Sequence, residues 1–344
     1  MPQLRAPPDR ARPLSLRRRD LRTMVEEWLY VGLGLVILLL AGDALVKGAV
    51  NLALRLGIPA LIVSLTIVAF GTSAPELIIA IQAVLEDAPG IAMGNVVGSN
   101  TANILLVLGV PALLAGMHTS DCNSRASYLQ MLAATILFIG LCFLGTIGWI
   151  SGLILLAALA AMLTHAAMAA KKHRDAPSAA VSDEEDLEEI EGADPSLPWA
   201  KILLFLALGL IGLPLGADLL VEGAVDIARG FGVSETVIGL TLIAVGTSLP
   251  ELATTVAAAL RRQADVALGN VIGSNMFNLL AIMGIASLVR PIPVDEQFLE
   301  FDLWIMLGAS LLILPFVFFR VDINRVWGVV LTGLYFAYIA IVLA

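Results

Sequence analysis

Glu76 and Glu251 each stand about halfway along a stretch of almost wholly apolar residues. An ionised carboxylate in such surroundings is costly unless it meets a partner, a water-filled cavity or a bound cation. No lysine or arginine lies in the stretches that carry them or in the apolar stretches that follow, so compensation must come from a proton or a cation. Thr72 and Thr247 each precede a glutamate by four residues, which puts hydroxyl and carboxylate on one helical face. Gly71 and Pro75 bracket the first pair, as Gly246 and Pro250 bracket the second. Proline withholds a backbone donor and glycine permits local unwinding, so a carbonyl at Gly71 is expected to be free. Irregular backbone at membrane depth persists where it lines a cavity. Carboxylates, hydroxyls and free carbonyls are the hard oxygen ligands that Ca²⁺ takes, six to eight at a time, and Na⁺, of similar size, also takes oxygen.

Ser99 and Asn103 are likewise four apart, and Ser274 and Asn278 repeat the spacing. They fit ligands, but small and amide residues also mediate helix packing in membranes, and both readings stand. Asn95, Asn270, Asn100 and Asn275 read as packing or capping residues. Asp43 and Asp218 fall nearer the membrane surfaces, where a structural hydrogen bond is expected of them.

These residues need a membrane to hold them. Of 344 residues, 59% are hydrophobic and 14% charged, with a mean hydropathy of +0.92. A water-soluble shell cannot be built from that composition. Ten apolar segments are expected, near 28–54, 59–85, 91–115, 128–144, 147–170, 199–228, 234–260, 265–289, 302–319 and 327–343, and each is long enough to cross or nearly cross a bilayer core. The polar connector 171–198 carries the acidic run from Asp183 to Glu191 and reads as a solvated tether. Residues 1–23 form a basic extension with seven arginines and no apolar core for a signal sequence. Met24 is an alternative start. Lysine and arginine concentrate in the loops after the odd-numbered segments, so the acidic connector is expected in the cytoplasm and both termini outside. Cys122 and Cys142 have no metal-ligand spacing, and no catalytic motif supports an enzyme.

Residues 43–109 align without a gap on 218–284, and roughly two-fifths of the positions are identical. Gly71-Thr72-Ser73-Ala74-Pro75-Glu76 falls on Gly246-Thr247-Ser248-Leu249-Pro250-Glu251, and Gly94-Asn95-Val96-Val97-Gly98-Ser99-Asn100 falls on Gly269-Asn270-Val271-Ile272-Gly273-Ser274-Asn275. The polar patches are the best matched, whereas structural repetition alone would keep mainly the apolar pattern. Five segments separate each element from its counterpart, so the two copies should be inverted across the membrane, a common plan for secondary transporters with a site at the midplane. The domains expected are therefore the extension 1–23, a first repeat at 24–170, the connector 171–198 and a second repeat at 199–344.

The paired motifs resemble the alpha repeats of the sodium/calcium exchanger (cation/calcium exchanger) family, in its prokaryotic form, over nearly the whole chain from Met24. That resemblance implies an all-α membrane protein of ten helices in two inverted five-helix repeats, with broken helices in a core formed by segments 2, 3, 7 and 8. It also implies that segments 1 and 6 slide across this core. By position it assigns calcium ligands to Thr72, Glu76, Thr247 and Glu251. It assigns sodium ligands to Ser73, Ser99, Asn103, Ser248, Ser274 and Asn278, with carbonyls from Ala69 and Ala244. Many relatives carry aspartate where this chain has Asn278, so only two formal charges remain in the core. Asn278→Asp is accordingly expected to strengthen binding of the more highly charged ion set.

The function expected is antiport of Ca²⁺ against Na⁺, both ions competing for the shared glutamates. A Ca²⁺/H⁺ or K⁺-dependent exchanger would use the same residues, and a cation channel is the rival from another class. Channels, though, usually set their filters on a symmetric subunit axis. The partners expected are the transported cations and the lipid of a bacterial or archaeal inner membrane, with no nucleic acid, no cofactor and a functional monomer.

Overall fold

A computed structural model describes residues 14–174, 194, 196–231 and 244–343. The described chain is helical almost throughout: α1 (Leu14–Leu56), α2 (Ala60–Thr72), α3 (Ala74–Leu85), α4 (Pro89–Ala115), α5 (Arg125–Cys142), α6 (Trp149–Arg174), α7 (Trp199–Gly230), α8 (Ala244–Thr247), α9 (Leu249–Leu260), α10 (Ala264–Val289), α11 (Phe298–Phe318) and α12 (Arg325–Leu343). Among the described residues eight helices are long and apolar enough to cross a bilayer, or nine when α2 and α3, bent by 42°, count as one span. The remaining expected segment, 234–260, begins outside the described residues and continues as α8 and α9. Helix α1 starts at Leu14, well before the expected 28, and so takes in part of the arginine-rich extension.

Burial sorts the helices into layers. The most apolar windows of α4 and α10 are 83% and 89% buried, those of α1 and α7 33% each, and those of α6 and α12 17%. Leu40, Ile211, Val326 and Phe336 are among many large apolar side chains on the outer surface. Such a surface suits lipid and not water. The centre is packed closely through glycine: a Cβ at Gly269 would come within 2.8 Å of the Leu61 carbonyl, and one at Gly273 would collide with the Leu65 carbonyl. Gly34 and Gly216 do the same for α1 and α7, where each added Cβ would meet the other glycine's carbonyl at 2.7 and 3.0 Å. In a bilayer, where no hydrophobic drive joins helices, this close approach of small residues supplies the packing.

Two short antiparallel joints tie the loops. Thr146 and Ile147 (β1) pair with Pro293 and Ile292 (β2), and Met117 bridges Ile323 through a 2.9 Å hydrogen bond from its N–H. With the 175-residue offset, Met117 corresponds to Ile292 and Ile323 to Gly148, next to Ile292's partner Ile147, so the two joints correspond to within one residue. At the first joint, Gly90 near the start of α4 lies beside Asp295 just past the end of α10; these two helices therefore run in opposite directions.

Candidate functional site

The two G-T-S-x-P-E motifs break their helices in the same place. Ser73 (φ −84°, ψ 7°) separates α2 from α3, and Ser248 (φ −89°, ψ 5°) separates α8 from α9. Pro75 and Pro250 occupy the first turns of α3 and α9, together with Glu76 and Glu251. Proline is tolerated there because the N–H it lacks would have no intrahelical acceptor, and the positive end of each helix faces its carboxylate. The unwinding expected around Gly71 is thus displaced to Ser73. Gly71 itself is helical, and its lack of a side chain admits Leu210 of α7, as Gly246 admits Val221.

The motifs meet crosswise. Ser73 Oγ donates to Glu251 Oε1 at 3.2 Å, and Ser274 Oγ donates to the same oxygen at 3.4 Å. Thr72 Oγ1 lies 3.3 Å from Asn270 Oδ1 and 3.4 Å from Ser274 Oγ. In the opposite half, Thr247 Oγ1 reaches Asn95 Oδ1 at 3.5 Å. Asn95 and Asn270 donate to the backbone carbonyls of Glu76 and Glu251 at 3.4 and 3.3 Å. Both therefore hold a glutamate's backbone on one side and a threonine hydroxyl on the other, a role sequence reasoning left between packing and capping. Thr255, which it missed, donates to the Glu251 carbonyl at 2.7 Å and accepts from Asn270.

Glu76, Glu251, Thr72, Ser73, Ser99, Asn103, Thr247, Ser248, Ser274 and Asn278 are all buried. Six of their side-chain oxygens have no hydrogen-bond partner: Glu76 Oε2, Glu251 Oε2, Ser99 Oγ, Ser248 Oγ, Asn103 Oδ1 and Asn278 Oδ1. Buried polar atoms are rarely left so, and this set combines two carboxylates, two amide carbonyls and two hydroxyls, the donor chemistry of a hard cation. The Ala69 carbonyl accepts from the Ser73 N–H at 3.0 Å and from Thr72 Oγ1 at 3.3 Å, so a cation would reach it by displacing the threonine hydroxyl. Ala244 opens α8. Asn103 begins one π-helical stretch, Asn103–Val107, and Asn278 lies in another, Phe277–Ile282. Such bulges shift the backbone hydrogen bonds and often mark functional positions. Asp43 makes the expected structural contact, accepting from Arg261 Nε and Nη2 at 2.5 Å, while Asp218 is exposed.

Membrane-length helices, with breaks around a buried, oxygen-rich cluster, define a multi-pass membrane protein. The chain belongs to the sodium/calcium exchanger protein family, whose model matches residues 26–168 and 201–344. It is 36% identical to the putative antiporter CaxA of Alkalimonas amylolytica over 92% of this chain and 98% of that protein. It is 36% identical to the sodium/calcium exchanger MaX1 of Methanosarcina acetivorans over 90% and 96%. The sodium-calcium exchanger NCX_Mj, soaked with zero Na⁺ and Ca²⁺, superimposes with a TM-score of 0.77 and 32% identity, covering 93% of this chain and 99% of that structure.

Proposed function

We propose that this protein is a Ca²⁺/Na⁺ antiporter in which both ions compete for one midplane site. The observation that carries the reading is the set of six unpartnered buried oxygens shared between the two motif copies. Thr72, Glu76, Thr247 and Glu251 would take Ca²⁺. Ser73, Ser99, Asn103, Ser248, Ser274 and Asn278 would complete the Na⁺ positions, with the Ala69 and Ala244 carbonyls. A site using the same carboxylates for either ion cannot hold both loads, so exchange follows from competition. The names of MaX1 and NCX_Mj support sodium as the counter-ion.

The opposite directions of α4 and α10, and the two corresponding joints, support the inverted repeat, and α8 and α9 support a tenth span over 234–260. Alternating access is then movement of α1 and α7 across the core. The positive-inside asymmetry supports a cytoplasmic connector and outward termini, and a single chain, holding both motif copies, would suffice. The test is Ca²⁺ uptake into proteoliposomes under imposed Na⁺, K⁺ or pH gradients. Uptake driven by an opposing Na⁺ gradient is the expected result. Uptake driven only by a pH gradient would make the glutamates proton carriers, and uptake without any trans ion would make the protein a channel.

A further inference from the structure

Four asparagines close a ring where α4 crosses α10. Asn278 Nδ2 donates to Asn100 Oδ1, and Asn103 Nδ2 donates to Asn275 Oδ1, both at 3.0 Å. Asn100 Nδ2 donates to the Asn275 backbone carbonyl at 3.2 Å, and Asn275 Nδ2 returns the bond to the Asn100 carbonyl at 3.3 Å. All four residues are 1% exposed or less. Asn100 and Asn275 use both ends of their amides within the ring. Asn103 and Asn278 use only the nitrogen there, and their oxygens have no partner.

An asparagine amide turned by 180° exchanges an acceptor for a donor. At a cation site this decides between a ligand and a repulsive NH₂ group. We infer that Asn100 and Asn275 are positioning residues that fix this choice. Two backbone carbonyls, which cannot become donors, require the nitrogens of Asn100 and Asn275. The oxygens of these two amides then require the nitrogens of Asn278 and Asn103. With the Asn278 and Asn103 nitrogens held in the ring, the unpartnered heavy atoms at the end of each path are their oxygens, so the ring presents two neutral carbonyl ligands on the side away from those nitrogens. Turning either outer amide would set oxygen against oxygen in a buried place, where an unmatched polar group is costly.

The inference rests on the cation site proposed above, and the experiment separates the two. Asn100→Leu and Asn275→Leu remove the acceptor while leaving the ion-facing residues in place. Ca²⁺ dependence of exchange is measured in proteoliposomes, and the rise in unfolding temperature on adding Ca²⁺ is measured in detergent. The expected result is an apparent KM for Ca²⁺ raised about 10- to 100-fold, the range typical of lost outer-shell partners, with the maximal rate changed far less. The Ca²⁺-induced rise should shrink accordingly, since that rise follows affinity. A lowered ion-free unfolding temperature with parental KM and parental Ca²⁺ response would reduce the ring to a structural stitch and overturn the inference. Should the leucine variants not fold, Asn100→Ser and Asn275→Ser, which leave room for water, are read in the same way. A parent protein with no Ca²⁺ response at all would overturn the cation site and the inference together.

Discussion

Glycine packing joins both the centre of this bundle and the α1–α7 pair, and the centre adds directional side-chain bonds. Where α4 meets α10, side-chain hydrogen bonds run reciprocally between asparagines that are almost fully buried. Helices α1 and α7 meet through glycine and backbone, with Gly34, Gly209, Gly212 and Gly216 letting the chains touch, and most of their apolar surface faces outward. Directional bonds specify one geometry and resist displacement. Small-residue packing has no direction of its own and leaves a pair that can shift as a unit. The directional bonds thus lie at the proposed ion site, and the smoother contact lies at the pair proposed to move.

The largest effect should come from removing a core charge. Glu76→Gln or Glu251→Gln keeps the shape and is easier to bury, so insertion should persist while Ca²⁺ exchange falls by about two orders of magnitude or more, as for a lost charged partner in a buried site. Retained exchange in either variant, measured in liposomes, would sink the shared site.

Next in size is Asn278→Asp. Charge counting favours the more highly charged, Na⁺-loaded state, and because Asn278 Nδ2 donates to Asn100 Oδ1, a carboxylate there also faces that oxygen with nothing to donate. That mismatch, about 1–3 kcal/mol for an unmatched buried polar group, is present with or without ions, so the ion-free unfolding temperature should fall while apparent Na⁺ affinity rises. An unchanged Na⁺ dependence in liposomes would mean that position 278 does not face the ions.

The α1–α7 pair should respond in a different currency. Gly216→Leu overpacks a contact with Gly34 and Leu38 and should cost about 1–3 kcal/mol of stability. The comparison predicts a lower unfolding temperature and a slower maximal rate, with the KM for Ca²⁺ unchanged. A changed KM would show that the pair also shapes the site. Smaller still is Asp43→Asn, which breaks the ion pair with Arg261. A partly exposed pair contributes about 0–1 kcal/mol, so any fall in unfolding temperature should be slight and should vanish at high salt.

The smallest effect concerns the joint near Met117. Burial works against the charge of Asp322, but bonds from Ser120 and a neighbouring His118 hold its carboxyl below the ordinary aspartate value. A lowered folded value adds stability that is present above the unfolded value, near 3.9, and is lost as pH falls through the folded one. Asp322→Asn should therefore lower the unfolding temperature slightly at neutral pH and flatten the acid limb of its curve below about pH 4, where variant and parent converge.

The glutamates and the repeat were legible because polar residues are conspicuous in apolar segments and because one motif was printed twice. The partners were not. Thr72 bonds to Asn270 and Ser274 of the other copy, and an offset that matches like with like says nothing of which unlike residues will touch. The two-residue joint at Thr146 and Ile147 is too short for any alternation, and the π-helical turns at Asn103 and Asn278 leave no compositional trace. Gly71 was read for flexibility when what its position requires is space for Leu210.

The asparagine ring also bears on how such a chain can be made. During synthesis the first half enters the membrane before the second exists, and at that moment Thr72, Asn100 and Asn103 lack the residues to which they will bond, Asn270, Asn275 and Ser274. Amides without partners in hydrocarbon are unfavourable, so the half-made protein must wait with its central helices apart, hydrated or held by the insertion machinery. On the proposed two-repeat division, maturation would be a late docking of two pieces, and the link between them need only keep the pieces near each other. Two separately translated fragments, divided within the acidic stretch, should find one another in the bilayer and assemble.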